Sequence, residues 1–381
     1  MKTGLASRLA AFHALLNWKK GQGFVQDNLQ KICEDLPQND RALAYEIALG
    51  TCRNLTGLDE KLQSLMRKLP EEPCRAILEI SLYQLLCTRI PHYAAVNSAA
   101  DLARQLGLDE QGVKFVNAVL RNALRKNLAK IENSSAKAPQ QWIRANPQKT
   151  SAEELVSKLG LRESKILFDK FISVTSASEI LKNPLFEKGF YSFQNPASFF
   201  TAKMCEIKAG YKIWDACAAP GGKSAMLAEE NPEAFFFSTD NSEKRISKLF
   251  DLQKRLGLNN VHIALANAQN PPFSECFDIV ITDAPCSNMG VALRRPEVLH
   301  SFSKEKISEL SKKQLAILQG ASVAVKKGGV LIYSVCSKEK EETSEVIEKF
   351  LNGSFVQEDF IFTDMPDVDG FFVAKLKKVE S

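Results

Sequence analysis

The second half of the chain alternates short apolar runs with longer amphipathic segments, beginning at about Ser198. Parallel strands covered by helices on both faces are apolar along their whole length, so this alternation is typical of a parallel sheet with helices between its strands. Helices are expected at 242–256 and 303–325. Strands are expected at 211–214, 234–238, 262–266, 278–282, 330–334 and 371–376. Residues 198–381 are therefore predicted to form an α/β domain.

The first part of the chain shows the period of helices instead. Apolar residues recur every three or four positions at Leu5, Leu9, Phe12 and Leu16. The same spacing continues through 41–53, 76–87, 94–106 and 113–125. The pattern predicts an all-α bundle over residues 1–130.

The region between these two parts is short and mixed. Residues 131–141 are largely polar and small, which is typical of a linker. Residues 142–197 combine strand-like runs at 142–146 and 189–194 with a helical run at 152–159. They are predicted to form a small α+β module, so the chain is expected to be multidomain.

Nine cysteines and four histidines limit the chemistry of the chain. No two cysteines form a Cys-x-x-Cys pair and no two histidines have the spacing of metal ligands, so neither a disulfide framework nor a metal site is predicted. The apolar runs are far shorter than the roughly 18 residues that cross a bilayer, and the first residues lack the apolar core of a secretory signal. We expect a cytoplasmic protein with no membrane segment.

The formal net charge of +5 arises entirely from residues 1–130. Such an excess favours a nucleic-acid partner, because neutralised phosphates supply most non-specific affinity, although it also fits a plain solvated surface. Arg294 and Arg295 are candidates for holding a backbone phosphate, with a solvated surface pair as the alternative. The candidates for RNA binding at the end of the bundle are Arg121, Arg125, Lys126 and Lys130.

A glycine-rich turn follows the first strand of the α/β domain and reads Asp215-Ala-Cys-Ala-Ala-Pro-Gly-Gly-Lys223. Ligands of open parallel sheets bind beyond the carboxyl ends of the strands, where glycines let backbone N–H groups approach them. The turn is not a P-loop, which requires glycine at Cys217, and it lacks the Gly-x-Gly-x-x-Gly pattern of dinucleotide sites. A tight turn needed only for chain topology is the alternative.

Two polar residues follow the next two strands. Asp240 can accept hydrogen bonds from ribose hydroxyls, or it can cap the helix that follows. Asn267 can hydrogen-bond an adenine edge. Together with the glycine turn, these positions suggest S-adenosylmethionine as the ligand.

Two cysteines also follow predicted strands, in Thr282-Asp-Ala-Pro-Cys-Ser287 and Tyr333-Ser-Val-Cys-Ser337. Methylating carbon 5 of cytosine requires a thiolate that adds at carbon 6, and a second group that helps to release the enzyme. Free cysteines are more often small buried hydrophobes, which is the alternative for each thiol. The contexts of Cys286 and Cys336 suggest covalent catalysis on a nucleobase.

Further motifs accompany the glycine turn and the two cysteine segments. The α/β domain also contains Arg294-Arg295-Pro296-Glu297 and Asp369-Gly-Phe-Phe-Val-Ala-Lys-Leu376. The bundle contains Leu82-Tyr-Gln-Leu-Leu86, Arg89-Ile-Pro-His92 and Phe115-Val-Asn-Ala-Val-Leu-Arg121. The middle module contains Ile143-Arg-Ala-Asn146, Lys149-Thr-Ser151 and Tyr191-Ser-Phe-Gln-Asn-Pro196. With these motifs the chain resembles the Sun or RsmB family of RNA 5-methylcytosine methyltransferases, in the branch that acts on small-subunit ribosomal RNA.

The resemblance implies a NusB-like RNA-binding bundle, a small RNA-contacting module at 142–197 and a Rossmann-like, S-adenosylmethionine-dependent methyltransferase domain. It implies methyl transfer to carbon 5 of a specific cytosine in 16S ribosomal RNA. The substrate would be the RNA or an assembly intermediate of the subunit. The sequence does not fix the oligomeric state, and a monomer is favoured.

The resemblance also assigns roles to residues. Cys336 corresponds to the nucleophile and Cys286 to the cysteine that assists product release, whereas the Pro-Cys spelling alone favours Cys286 as nucleophile. Asp283 is expected to contact both cofactor and substrate, and to hydrogen-bond cytosine N3 if it is protonated. The cofactor-binding residues that it implies are Cys217, Ala218, Ala219, Pro220, Gly221, Gly222, Lys223, Asp240, Asn267 and Asp283.

Three features depart from the family pattern. Asn267 stands where Asp is usual, Ser287-Asn-Met-Gly290 stands where Ser-Gly-Thr-Gly is usual, and a helical segment often found before Trp142 is missing. Two alternative functions are the same chemistry on transfer RNA and a noncatalytic RNA-binding ribosome assembly factor. Retention of both thiols and of Asp283 argues against the noncatalytic alternative.

Overall fold

The computed structural model describes residues 4–128, 140–301 and 303–380. The chain divides into two compact units. One comprises Met1–Ala138 with Ala292–Ser301, and the other Pro139–Val291 with Phe302–Ser381. The short segment Ala292–Ser301 therefore belongs to the first unit, although its sequence lies within the second.

The first unit is helical, as predicted. Its helices are α1 (Leu5–Lys19), α2 (Val25–Ile32), α3 (Gln38–Arg53), α4 (Leu55–Leu65), α5 (Cys74–Cys87), α6 (His92–Gln105) and α7 (Glu110–Arg125). Residues 76–86 of α5 are all buried, as expected for a helix at the centre of a bundle. The sequence pattern did not predict α2 and α4, because each is short and buries only three residues.

The segment Ala292–Ser301 is bound into this helical unit. It contains the 3-10 turn Pro296–His300. The carboxyl group of Glu297 is buried and accepts a hydrogen bond from the backbone N–H of Val25 at 3.0 Å. Arg295 forms an ion pair with Asp27 at 3.0 Å. These contacts explain why the segment groups with the bundle.

The second unit begins with a small antiparallel sheet in the order β2-β3-β1-β4. Its strands are β1 (Gln141–Ala145), β2 (Ile166–Leu167), β3 (Phe171–Val174) and β4 (Tyr191–Phe193), accompanied by α8 (Ala152–Leu159), α9 (Ala177–Lys182) and α10 (Pro184–Glu187). The predicted strands and the predicted helix at 152–159 are present. The sequence pattern missed β2 and β3, whose two and four residues are too few to show a period.

A seven-stranded sheet in the order β10-β11-β9-β8-β5-β6-β7 completes the second unit. The strands are β5 (Lys212–Asp215), β6 (Phe235–Asp240), β7 (Val261–Leu265), β8 (Phe277–Asp283), β9 (Val325–Val335), β10 (Phe355–Thr363) and β11 (Phe371–Lys378). The helices are α11 (Ser198–Cys205), α12 (Gly222–Glu230), α13 (Glu243–Leu256), α14 (Lys304–Ser322) and α15 (Ser344–Phe350). This is the α/β domain that the alternation predicted.

The sheet is mixed, which corrects the expectation of a purely parallel one. β5 to β9 pair in parallel, but β10 and β11 form an antiparallel hairpin and β11 runs antiparallel to β9. The sequence pattern missed β10 because it is an edge strand with a polar centre. Its apolar side chains Val356, Phe360 and Phe362 are exposed.

Alternate residues of the sheet face two separate cores. Ile213, Ile279 and Ile332 pack with α11 and α12 on one face. Trp214, Val280 and Leu331 pack with α14 and α15 on the other face. This period of two is what a sheet covered on both faces requires.

The topology places a crevice beside β5. From this strand the order continues to β6 and β7 on one side and to β8 and β9 on the other. The loops after β5 and β8 therefore diverge at the carboxyl edge, where open α/β sheets bind their ligands. Among the described residues, no helix is long and apolar enough to cross a membrane.

Candidate active site

The glycine-rich turn follows β5 directly. The backbone N–H of Ala218 donates to Thr239 O at 2.8 Å, which ties the turn to β6. Gly221 has a φ of 108°, and a Cβ there would lie 2.3 Å from Leu249 Cδ1 of α13. The left-handed φ at this position therefore requires glycine, and α12 begins at the next residue.

Asp215, the last residue of β5, is a buried carboxyl group beside this turn. Its Oδ2 accepts a hydrogen bond from Ser224 Oγ at 2.5 Å, while its Oδ1 is buried and has no partner among the described residues. Burial raises the pKa of Asp215 to about 6, and the hydrogen bond from Ser224 acts in the opposite direction. Asp215 does not line the cavity of this region, so its carboxyl group supports the glycine turn from behind.

Asp240 ends β6 and is buried. Its Oδ1 accepts hydrogen bonds from the backbone N–H of Ser242 at 2.9 Å and from Arg245 Nη2 at 2.8 Å. Within the described residues, Oδ2 has no hydrogen-bond partner. Asp240 thus supports the start of α13 and keeps one oxygen available for hydroxyl groups of a ligand.

Asn267 lies two residues beyond the end of β7 and is exposed. Its Oδ1 accepts a hydrogen bond from the backbone N–H of Gln269 at 3.1 Å, which fixes the carboxamide in a local turn. The amide Nδ2 remains as a donor, which the usual aspartate lacks. The departure at this position therefore changes a pure acceptor into a side chain that can donate to a ring nitrogen.

Lys223 and Asp283 form an ion pair with 2.7 Å between Nζ and Oδ2. The other carboxylate oxygen, Oδ1, accepts a hydrogen bond from Ser334 Oγ at 2.9 Å. Burial alone would lower the pKa of Lys223, but the neighbouring Asp283 and Cys336 raise it above its ordinary value. Lys223 is therefore a partly buried, paired ammonium group and not the solvated lysine that was the alternative.

A cavity of about 300 Å³ opens at this crevice. Ala218, Pro220, Gly221, Gly222 and Lys223 lie outside its lining and build the turn behind it. The predicted site residues that do line the cavity are Cys217, Ala219, Asp240, Asn267, Asp283, Cys286 and Cys336. The structure therefore brings the candidate cofactor residues and both candidate catalytic thiols to one cavity.

Cys286 follows β8 and is half-buried. Burial raises the pKa of its thiol well above the ordinary value, and the nearby Cys336 adds to this effect. A thiol with such a pKa is protonated at neutral pH and is a poor nucleophile in its resting state. The electrostatics of Cys286 therefore suit proton transfer better than the first nucleophilic attack.

The loop after Cys286 explains the second departure from the family pattern. Asn288 has a φ of 60°, a left-handed conformation that glycine adopts freely and asparagine tolerates better than most residues. At Gly290 a Cβ would lie 2.0 Å from Gly370 O, so only glycine fits. The backbone N–H of Gly290 donates to Cys336 O at 3.0 Å. Asn288 thus preserves a loop path that packs against the Cys336 segment.

The candidate RNA-binding residues fall in different surroundings. Arg121 and Arg125 are exposed on α7, and Lys126 Nζ donates to Ser64 O at 2.9 Å. Lys130 lies outside the described residues. Arg294 and Arg295 both belong to the helical unit, where Arg295 pairs with Asp27 and lies with its guanidinium carbon 4.4 Å from the centre of the Phe24 ring.

Sequence reasoning missed three residues of this region. Arg245 pairs with Asp240 and lines the cavity, and Lys313 of α14 lines it as an exposed cation. Glu342 is fully buried next to both cysteine loops. No local pattern distinguishes these residues from their neighbours. Among the described residues, no cluster of three or more His, Cys, Asp or Glu side chains is arranged to hold a metal ion.

Comparison with known proteins decides the family. Residues 202–365 match the family described as 16S rRNA methyltransferase RsmB/F, and residues 5–125 match the NusB family. Ribosomal RNA small subunit methyltransferase B of Shewanella oneidensis is 31% identical over 349 residues, which cover 82% of this chain and 81% of the relative. This chain belongs to the RsmB/F family. The probable enzyme of the same name from Bacillus subtilis is 28% identical over 90% of this chain and 87% of the relative.

Two solved structures share this fold. The structure of PH0851 has a TM-score of 0.81 at 20% identity and covers 99% of this chain and 100% of its own. The structure of NSun6 from Pyrococcus horikoshii with SFG has a TM-score of 0.55 at 20% identity, over 70% of this chain and 96% of its own. At these identities the likeness concerns the fold.

As a member of the RsmB/F family, the protein is an S-adenosylmethionine-dependent ribosomal RNA methyltransferase. The residues of the crevice fit this cofactor. Asp240 Oδ2 is an acceptor without a partner among the described residues, and Asn267 offers a donor; both residues line the cavity. Amino, ribose and adenine groups require acceptors and donors of these kinds.

Proposed function

We propose that this protein transfers a methyl group to carbon 5 of a cytosine in small-subunit 16S ribosomal RNA, through a covalent bond between Cys336 and carbon 6. The observation that supports this proposal best is the convergence of Cys286, Cys336 and Asp283 on the cavity of the cofactor residues. Small-subunit ribosomal RNA is the substrate class that the names of the relatives indicate. Such a substrate places the reaction in the cytoplasm.

In the proposed reaction, the target cytosine leaves its stack and enters the cavity, because chemistry on a base ring requires access to the ring atoms. The thiolate of Cys336 adds to carbon 6, and the electron pair of the carbon 5–carbon 6 double bond moves to carbon 5. S-adenosylmethionine, when bound, would supply an electrophilic methyl group to carbon 5, and the methyl–sulfur bond would break to leave S-adenosylhomocysteine. The Lys223 ammonium, through its electrostatic coupling to Cys336, favours the thiolate form of the nucleophile.

The Asp283–Lys223 pair is proposed to bind the base edge. Cytosine N3 accepts hydrogen bonds, so Asp283 must carry a proton when it meets this atom. That proton comes from solvent, because the raised pKa of Lys223 keeps its ammonium group, 2.7 Å from Asp283, protonated. A proton placed on N3 also draws electron density out of the ring and so favours attack at carbon 6.

Release requires loss of the proton on carbon 5. In the proposed step, the Cys286 thiol first releases its proton to solvent water at the open cavity, and the resulting thiolate takes the carbon 5 proton. The carbon–hydrogen electron pair restores the carbon 5–carbon 6 double bond, and the bond from carbon 6 to Cys336 breaks to regenerate the thiolate. The raised pKa of Cys286 suits this step, because a weaker acid has a stronger conjugate base.

Two basic surfaces are proposed to hold the RNA. Lys313 lines the cavity and is exposed, so it can neutralise a phosphate next to the flipped nucleotide. Lys114, Arg121 and Arg125 are exposed on α7 at helical spacing, which places them on one side of the helix. An RNA backbone along this α7 face would meet three cations.

The test is to incubate the protein with tritiated S-adenosylmethionine and small-subunit ribosomal RNA that lacks this modification, then to digest the RNA and identify the labelled nucleoside. Labelled 5-methylcytidine at one position is the expected result. Binding of the RNA without any label would indicate the noncatalytic assembly factor instead. Label in transfer RNA but not in ribosomal RNA would keep the chemistry and change the substrate.

A further inference from the structure

Glu342 is fully buried, yet its carboxyl group does not line the cavity. It lies in the 3-10 turn Lys340–Glu342, shortly after Cys336 in the sequence. A buried carboxyl group carries a large desolvation cost unless hydrogen-bond donors surround it. Four hydrogen bonds reach this one, so its position is built into the fold.

Two of the donors come from the residue after Cys286. The backbone N–H of Ser287 donates to Oε1 of Glu342 at 2.9 Å, and Ser287 Oγ donates to Oε2 at 2.5 Å. The third donor comes from the residue after Cys336, because Ser337 Oγ donates to Oε2 at 2.5 Å. One carboxyl group thus joins the two segments that carry the thiols.

The remaining contacts hold Glu342 itself in place. Gln314 Nε2, on α14, donates to Oε1 at 2.9 Å and also to Pro285 O at 3.0 Å. The hydroxyl group of Tyr333 donates to the backbone carbonyl of Glu342 at 2.7 Å. Side chain and backbone are therefore both fixed, and neither cysteine loop can shift without breaking hydrogen bonds to a buried group.

We infer that Glu342 is a positioning residue that sets the location of the Cys286 loop relative to the Cys336 loop. This inference rests on the proposed function, in which Cys336 attacks carbon 6 and Cys286 handles the proton on carbon 5. These are adjacent ring atoms, so the two thiols must be placed relative to each other as well as to the base. Because the thiols lie on separate loops, a tie between those loops supplies this placement.

A graded series at position 342 tests the inference. Glu342→Asp shortens the side chain by one methylene group, so the carboxyl group no longer reaches both serines. Glu342→Gln keeps the length, and its amide group can donate to the two serine hydroxyls while its oxygen still accepts from Ser287 N–H and Gln314. We expect Glu342→Asp and Glu342→Ala to lower the single-turnover rate constant by about tenfold or more, and Glu342→Gln by less than about threefold.

The neighbouring Glu341 is the matched control, since it is exposed and forms no side-chain hydrogen bond among the described residues. Glu341→Ala removes the same charge and should keep the wild-type rate constant. Dissociation constants for S-adenosylmethionine and for the RNA should remain within about twofold in the whole series. Loss of folded protein would lower the amplitude of the single turnover and not its rate constant, which separates positioning from a merely structural role.

An unchanged rate constant in Glu342→Asp would overturn the inference. A larger loss in Glu342→Gln than in Glu342→Asp would also overturn it, because the charge and not the reach of the side chain would then matter. If Glu342→Ala and Glu342→Asp do not fold, Ser287→Ala combined with Ser337→Ala removes both hydroxyl ties and retains the carboxyl group. A rate constant at least about fivefold lower in this double variant supports the inference, and a wild-type value refutes it.

Failure of the proposed function would show in a different measurement. Covalent trapping with Cys286→Ala and loss of turnover with Cys336→Ser report on the roles of the thiols. The rate constants of the position 342 series report on the tie, whichever thiol attacks. If the Glu342 variants show the expected order of rate constants but Cys286→Ala forms no covalent adduct, the roles assigned to the two thiols are rejected and the inference about Glu342 stands.

Discussion

Lys223 Nζ of α12 lies 2.7 Å from Asp283 Oδ2 at the end of β8, so an ion pair joins the two loops at the switch point of the sheet. The side chains are only 16% and 29% exposed. Because the pair is largely removed from water, each charge depends on the other, and loss of one leaves its partner poorly solvated. The pair also links the cofactor turn to the strand that leads to Cys286.

Replacing Lys223 with Met should lower the rate constant of methyl transfer by about a hundredfold, because the ammonium group stabilises the Cys336 thiolate and holds the Asp283 side chain in place. The measurement is a single turnover at saturating cofactor and RNA. Lys244→Met, at an exposed lysine of α13, is the matched control and should have no effect. A rate within twofold of wild type would remove Lys223 from the mechanism.

Cys336→Ser should abolish methyl transfer by at least about a thousandfold, because a serine hydroxyl is a far weaker nucleophile than a thiolate. The readout is tritium transferred to RNA. Cys276→Ser changes another half-buried cysteine, which does not line the cavity, and should retain activity. Turnover in the Cys336 variant would refute its assignment as nucleophile.

Cys286→Ala should form a covalent complex with the RNA that survives denaturing electrophoresis, because the carbon 5 proton is no longer removed and Cys336 cannot leave. The band should require both cofactor and RNA. It should disappear when Cys336→Ser is added to the same chain. An active Cys286→Ala protein that never forms a complex would make Cys286 a packing residue.

Asp215 predicts a pH dependence of stability. Burial raises its pKa from the ordinary 3.8 to about 6, so between these values the unfolded chain releases a proton that the folded protein keeps. The stabilisation is therefore complete below about pH 4 and lost as the pH rises through about 6, a difference of about 3 kcal/mol. Asp215→Asn cannot titrate and removes this dependence.

Unfolding by urea at pH 4 to 7 measures this effect as the difference between wild type and Asp215→Asn. Wild type should lose stability relative to the variant as the pH rises. Asp251→Asn, at an exposed aspartate of α13, is the control for changes of charge alone. Parallel curves for wild type and Asp215→Asn would contradict the raised pKa.

Lys313→Ala should raise the KM for RNA by about fivefold or more and leave cofactor affinity unchanged, because the side chain lines the open cavity and can neutralise a phosphate. Lys312→Ala is the matched control, since Lys312 is an exposed neighbour on the same helix that does not line the cavity. Equal effects of the two substitutions would indicate a general charge effect and not a specific contact.

Arg121→Ala combined with Arg125→Ala should weaken RNA binding and flatten its dependence on salt. If each residue contacts one phosphate, the slope of log K against log salt should fall by about 0.7 per residue, the value for single strands. Lys31→Ala, at an exposed lysine of α2, should leave the slope unchanged. An unchanged slope in the double variant would exclude the α7 face as an RNA contact.

Much of the candidate site was predictable because it is written in contiguous motifs. The glycine turn and Cys336 directly follow apolar strands, Asp283 ends one, and Cys286 lies three residues beyond the same strand. The carboxyl ends of parallel strands meet at one edge of a sheet. Glu342 was not predictable in this way. Its partner Ser287 lies 55 residues away, and its neighbour Glu341 has the same side chain but is exposed.

The sequence by itself determined the types of most elements, the division into a helical part and an α/β part, and the family. Apolar periodicity and strand-end motifs involve residues that are close together in the chain, so they can be recognised in the sequence alone. Only the tertiary structure decided that β11 runs antiparallel to β9, that Arg295 pairs with Asp27, and that Glu342 joins two loops. These features depend on segments distant in sequence becoming neighbours, and burial of a polar group fixes its partners only once the chain has folded.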